Sequence, residues 1–147
     1  MLCYVKAMTR ALVLAALALL ARPGLADPGA EAAKAYALES GQSTARLKVG
    51  EAGKLVLVIR PTAAGWHIHP QAPLKIRLAA PGLKVAKSEF SRKDAANPGG
   101  EAPRFETSFV ATEGGTTEAT YSLDFFICSD SACVKQSRTL SVPVTVE

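Results

Sequence analysis

The fold is decided by residues 121–146, which read YSLDFFICSDSACVKQSRTLSVPVTV. Hydrophobic and polar side chains alternate along both halves of this stretch, and a period of two is typical of β-strands that bury one face. Between the halves lies a polar turn, residues 129–132, with a cysteine on either side. The pattern predicts a β-hairpin in which Cys128 and Cys133 lie opposite one another, close enough to form a disulfide.

The same alternation assigns both cysteines to one face of the hairpin. If the hydrophobic side chains of each strand face the core, Cys128 and Cys133 both fall on the opposite, polar face. We therefore expect two exposed sulfurs, which an incoming thiolate could attack. The closed loop is short and stabilises the fold by only about 2 kcal/mol, which favours a reactive disulfide over a structural one. Hairpin disulfides that stiffen a turn are common in secreted domains, so both interpretations stay open.

Short runs of alternating side chains fill most of the chain before this hairpin. Glycine, proline and asparagine separate the runs, as at 81–82, 97–100 and 114–115. Several short strands at this spacing predict an all-β, antiparallel β-sandwich. The predicted strands contain Leu55, Leu57 and Ile59; Leu74, Ile76 and Leu78; residues 85–90; residues 105–110; and the two halves of the hairpin.

The amino terminus has the three parts of a secretory signal peptide. Lys6 and Arg10 precede an apolar run at 11–20, and the small residues Gly24 and Ala26 follow it. This order predicts export to the periplasm with cleavage after residue 26. The apolar run is shorter than the ~20 residues that span a bilayer, and no later stretch approaches that length.

Cleavage would leave one domain with a single pair of cysteines. It would discard Cys3 and three basic residues, so the formal net charge of +4 would fall by three. We expect a signal peptide at 1–26, a flexible or helical leader at 27–45 and a β-sandwich domain at 46–147. The mature chain has no cluster of basic residues, which argues against nucleic-acid binding. We expect a monomer.

Three segments carry a resemblance to a known family. They are GWHIH and PLKI within 65–76, FETSF at 105–109, and ICSDSACVKQSRTLSVPVTV at 127–146. Together they resemble the amino-terminal periplasmic domain of the thiol–disulfide interchange protein DsbD. The resemblance implies an immunoglobulin-like sandwich whose cysteine pair, here Cys128 and Cys133, is redox-active. It also implies partners, namely thioredoxin-like periplasmic oxidoreductases or a membrane reductant transporter, and it requires no cofactor and no metal.

Neighbouring residues support further hypotheses about this site. Phe90 and the loop at 91–104 could form a flap over the cysteines, or the loop could be a solvated connector. Asp124 could raise the pKa of the Cys128 thiol or relay a proton, and Lys135 could favour a thiolate. Both charged side chains could equally be solvated surface groups.

The two histidines suggest a different chemistry. His67 and His69 share one face of a predicted strand, while Trp66 takes the other. With the two thiols they could bind copper or zinc, or they could simply be exposed beside a buried tryptophan.

The leading hypothesis is thiol–disulfide exchange through Cys128 and Cys133, which makes the chain a candidate thiol–disulfide oxidoreductase. The alternative is a non-enzymatic secreted binding module with a purely structural hairpin disulfide. A copper or zinc carrier is a minor alternative.

Overall fold

The computed structural model describes residue 24 and residues 27–147. The predicted signal peptide lies, apart from residue 24, outside the described residues, so its cleavage stays a prediction. The elements are α1 (Pro28–Lys34), β1 (Tyr36–Glu39), β2 (Arg46–Leu47), β3 (Ala52–Pro61), β4 (His67–Ile68), β5 (Lys75–Ala79), β6 (Leu83–Val85), β7 (Glu89–Ser91), a 3₁₀ turn (Arg92–Asp94), β8 (Arg104–Ala111), β9 (Gly115–Cys128) and β10 (Cys133–Val146).

The strands form two sheets that pack face to face. One sheet has four strands in the order β1-β3-β8-β6, and the other has six, in the order β2-β10-β9-β5-β7 with β4 also paired to β9. Pairing is antiparallel except between β10 and β2. The predicted all-β, immunoglobulin-like sandwich is confirmed.

The hairpin of β9 and β10 is the longest ladder of the fold. Each strand has fourteen residues. Pairing runs without a break from Cys128 opposite Cys133 to Gly115 opposite Val146. The backbone N–H of Ser129 donates to the carbonyl of Ala132 at 2.8 Å and closes the turn.

The core lies between the sheets and follows the alternation of the long strands. Side chains at every second position of β3, β8 and β9 are buried, and burying a large apolar side chain stabilises a fold by roughly 1.5–3 kcal/mol. The largest fully buried side chains include Leu55, Leu57, Ile59, Ile76, Phe105, Phe109, Tyr121, Leu123, Phe125 and Ile127.

The segment expected to be a leader packs against the sandwich. Its first half is helical, as one expectation had it: Asp27 accepts from the N–H of Gly29 at 3.0 Å, and a proline lies in the first turn, where its missing N–H costs nothing. Its second half forms β1, which pairs with β3. Tyr36 of β1 donates to the buried Gln136 of β10 at 2.9 Å. The packed structure therefore includes residues before 46.

The predicted strand at 85–90 is divided in two. β6 ends at Val85 in the four-stranded sheet, and β7 begins at Glu89 in the six-stranded sheet. The chain crosses between the sheets over these few residues. The single predicted strand is therefore two short strands in different sheets.

No helix among the described residues is long and apolar enough to cross a membrane.

Candidate functional site

A disulfide joins the two ends of the β9–β10 turn. The sulfurs of Cys128 and Cys133 are bonded at 2.09 Å, and their Cα atoms lie 4.1 Å apart. The two residues are direct partners in the ladder, as the hairpin pattern predicts.

The two sulfur-bearing residues differ in exposure, which corrects one expectation. Cys133 is exposed, but Cys128 retains only 2% of its accessible surface. Cys128 lies outside the core cluster that contains its neighbour Ile127, so the alternation of faces was predicted correctly. Its burial is local to the disulfide, because Ser122 and Asp124 on the same face of β9 are exposed. The His69 ring and Cys133 lie against its sulfur.

Cys128 is flanked by a strand on either side. β10 lies along one side, and on the other side His67 of β4 is the direct backbone partner of Cys128. Cys133 begins β10, whose other side pairs with β2 only through Thr145 and Val146, at the far end of the strand. The sequence pattern of the hairpin contains no information about β4, so it overestimated the exposure of Cys128.

His69 lies against the disulfide. One of its ring nitrogens and the sulfurs of Cys128 and Cys133 all lie within 4.8 Å of one another. The backbone N–H of His69 donates to the carbonyl of Phe126 at 3.0 Å, which holds the end of β4 beside β9.

Backbone hydrogen bonds orient the His69 ring. Its Nδ1 accepts from the N–H groups of Gln71 at 3.1 Å and Ala72 at 2.8 Å. An Nδ1 that accepts has no proton, so the neutral ring carries its proton on Nε2. The loop after β4 thereby fixes the tautomer and leaves an N–H donor on Nε2.

His67 does not join this cluster. It is exposed, and its ring centroid lies 6.5 Å from that of His69. The buried Ile68 lies between the two histidines, and Trp66 packs partly buried against the core, as the alternation predicts. The hypothetical ligand set of two histidines and two cysteines therefore reduces to His69 and the cysteines.

The charged neighbours of the cysteines pair with each other. Ser137 donates to the carboxylate of Asp124 at 2.5 Å, and Lys135 lies 3.8 Å from it. The Ser137 hydrogen bond, with a smaller contribution from Lys135, lowers the pKa of Asp124. An ionised, exposed Asp124 has no proton to relay at neutral pH, and its attraction for Lys135 competes with any thiolate. The solvated interpretation of both groups fits this geometry.

The flap hypothesis fails at Phe90. This side chain is 4% exposed and packs edge-on against Phe105 in the core, with ring centroids 6.0 Å apart. The loop at 91–104 is held by its own hydrogen bonds, since Arg92 donates to the carbonyls of Pro98 and Gly100. It approaches the hairpin turn where Glu101 shares a cleft with Asp130.

One aromatic residue of the site was not predicted. Phe126 lies two residues before Cys128 on the outer face and is half-buried, in a shallow groove that it lines with Pro73 and Lys75. The signal in the sequence was a large apolar side chain at a position where alternation requires a polar one.

Comparisons with known proteins do not assign a family. No protein-family model and no curated protein matches the chain. None of the solved structures described next is a DsbD domain, so that resemblance stays a prediction.

Three solved structures are similar in part. A conjugate transposon protein from Bacteroides vulgatus is 12% identical, with 75% of this chain and 83% of that chain covered and a TM-score of 0.43. A conjugative transposon lipoprotein from Bacteroides eggerthii is 10% identical, with coverage of 75% and 96% and a TM-score of 0.41. AggA, the major subunit of aggregative adherence fimbriae type I from Escherichia coli, is 13% identical, with coverage of 76% and 94% and a TM-score of 0.38. At these values the likenesses carry no functional conclusion.

Proposed function

We propose that this chain is an exported immunoglobulin-like domain that exchanges thiols and disulfides with partner proteins through Cys128 and Cys133. The observation that carries the proposal is the unequal exposure of the pair, with Cys133 open to solvent and Cys128 buried beside His69. Exchange requires access to one sulfur, and a partner need reach only Cys133.

The exposure also sets an order of events. A partner thiolate attacks Sγ of Cys133, the Cys128–Cys133 bond breaks, and Cys128 leaves as a thiolate. A second thiolate of the partner then attacks the partner's own sulfur in the mixed disulfide and releases Cys133. The partner's two thiols are oxidised to a disulfide, and the domain gains two electrons and two protons. The reverse sequence delivers them to an oxidised partner.

His69 supports the leaving sulfur in this scheme. A leaving thiol departs faster when its thiolate is stabilised, and a neighbouring imidazole stabilises thiolates by hydrogen bonding or by protonation. The ring lies beside both sulfurs with its orientation fixed by backbone donors.

The partners and the compartment follow from the same proposal. Dithiol partners of the thioredoxin type, or a membrane reductant transporter, are those that the resemblance to DsbD implies. The Phe126 groove and the cleft between Trp66 and Asp130 lie beside the hairpin and offer contact surface. A disulfide persists in an oxidising compartment, which agrees with export to the periplasm.

A second candidate function is a binding module with a structural disulfide. The burial of Cys128 favours it, because a partner cannot approach that sulfur from outside. The continuous ladder also holds the pair in place without any chemistry. In this case the hairpin would be a rigid contact surface, and the disulfide would only stiffen its turn.

Single substitutions separate the two candidates. The partner for this test is a thioredoxin-like protein that lacks its resolving cysteine and whose remaining cysteine is activated as a mixed disulfide with thionitrobenzoate. Cys128→Ser should form a mixed disulfide with it at Cys133, releasing thionitrobenzoate, at least about tenfold faster than Cys133→Ser forms one at Cys128. The wild-type couple should have a reduction potential within the range of oxidoreductases, between about −120 and −270 mV. A potential below about −300 mV with no trapped complex would establish the structural disulfide instead.

A further inference from the structure

We infer that, once the disulfide is reduced, Cys128, Cys133 and His69 form a three-ligand site for Cu(I). The three ligand atoms already lie within 4.8 Å of one another. Thiolate and imidazole are ligands that soft, monovalent copper prefers, and two sulfurs with one nitrogen complete a trigonal site. Structural zinc sites need a fourth ligand, and the described cluster supplies three.

The hairpin holds the ligands in place after reduction. Metal–sulfur bonds of about 2.3 Å place two sulfurs on one metal roughly 4 Å apart, compared with 2.09 Å in the disulfide. The ladder of backbone pairs keeps Cys128 and Cys133 opposite one another whether or not their sulfurs are bonded. Side-chain rotation therefore suffices to open the pair around a metal ion.

Backbone hydrogen bonds hold the His69 ring beside the two sulfurs. Its Nδ1 accepts from the backbone N–H groups of Gln71 and Ala72, so the proton of the neutral ring lies on Nε2. Copper binding at Nε2 therefore moves this proton to Nδ1 and breaks the two backbone hydrogen bonds. The loop at 70–72 must therefore rearrange on binding, because a ligating histidine donates from its second ring nitrogen. His67, two residues earlier in β4 and outside the cluster, provides a matched control.

Formation of the copper site requires one reductant, which opens the disulfide. A dithiol transfers two electrons and two protons to the Cys128–Cys133 disulfide and is itself oxidised to a disulfide. Cu(I) then displaces the two thiol protons and binds the two thiolates, while the ring proton of His69 moves from Nε2 to Nδ1 so that Nε2 can bind. Copper does not change its oxidation state. The inference goes beyond the exchange function and is independent of it, because a chemical reductant can open the disulfide when no protein partner does.

An anaerobic titration with Cu(I) against the chelator bathocuproine disulfonate tests this site. Reduced wild-type protein should bind one Cu(I) per chain, and the oxidised protein should bind none at the same concentrations. His69→Ala should weaken binding by at least about tenfold, while His67→Ala should leave it unchanged. Circular dichroism of each variant verifies that the sandwich is folded.

Several results would overturn the assignment. Equal affinity of His69→Ala and wild type for Cu(I) would exclude His69 as a ligand. Equal losses of affinity in the His69→Ala and His67→Ala variants would show that the effect is not specific to His69. Binding to the oxidised protein would indicate an adventitious surface site, and tight binding of Zn(II) but not Cu(I) would refute the choice of metal. If His69→Ala does not fold, X-ray absorption of copper-loaded wild type decides, because one imidazole must appear beside two sulfurs.

Discussion

Reduction of the Cys128–Cys133 disulfide should lower the free energy of unfolding by about 2 kcal/mol. The bonded residues are five positions apart, and the chain-entropy model gives about 2 kcal/mol for closing so short a loop. Cys128 lies outside the core cluster, so opening the bond leaves no cavity among the core side chains. The same free energy must also lower the reduction potential of the Cys128–Cys133 couple in the folded protein. Since 1.4 kcal/mol corresponds to 30 mV, the potential of the folded couple should lie about 45 mV below that of the unfolded chain.

Denaturant unfolding with and without dithiothreitol measures the first quantity, and the fluorescence of Trp66, the single tryptophan, reports the transition. A double variant with alanine at both cysteines is the control, because dithiothreitol should not change its stability. A loss of more than about 4 kcal/mol, or loss of the cooperative transition, would refute the argument from loop length. The disulfide would then be holding the sandwich together.

Three further predictions concern the rest of the sandwich. Gly53→Ala should lower the free energy of unfolding by about 1–3 kcal/mol in a thermal melt, because a Cβ there would lie 2.5 Å from the buried ring of Phe109. An unchanged melting temperature would show that the ring moves aside freely. Tyr36→Phe should cost about 1–3 kcal/mol in urea unfolding, since the buried acceptor of Gln136 loses its donor, and a neutral substitution would contradict that hydrogen bond. A hydrogen bond from Lys87, assisted by the backbone before the 3₁₀ turn, lowers the pKa of Asp94 from 3.8 to about 2. The ionised carboxylate therefore stabilises the fold above pH 3.8, and this contribution is lost as the pH falls through about 2. Asp94→Asn should flatten the stability profile in that window, and a profile identical to wild type would exclude the effect.

The long strands were predictable because each carries its own pattern. β3, β8 and β9 bury alternate side chains in one core, and that period is visible in the sequence. β2 and β4 have two residues each. A strand carrying His67 and His69 was predicted, but it ends at Ile68, and no periodicity can identify a strand as short as β2. Both strands exist because a longer neighbour supplies hydrogen-bonding partners, which is a property of the tertiary structure.

The candidate site also has one part that local sequence predicts and one part that depends on the tertiary structure. The pairing of Cys128 with Cys133 depends on one turn and two flanking strands, so local pattern was sufficient to predict it. The burial of Cys128 and the proximity of His69 depend on β4, which ends 47 residues before the hairpin begins. The sequence placed two histidines on one strand, but only the sheet order decides which of them meets the sulfurs.

The unbroken pairing of β9 with β10 has a consequence for recognition. Cleavage of the bond between the sulfurs removes one covalent link from a ribbon that fourteen successive residue pairs continue to hold. The surface shape of the domain is therefore nearly identical in the oxidised and the reduced state. A partner protein that must distinguish the reduced domain from the oxidised one therefore has no change of shape to recognise. It has to contact the sulfur atoms themselves.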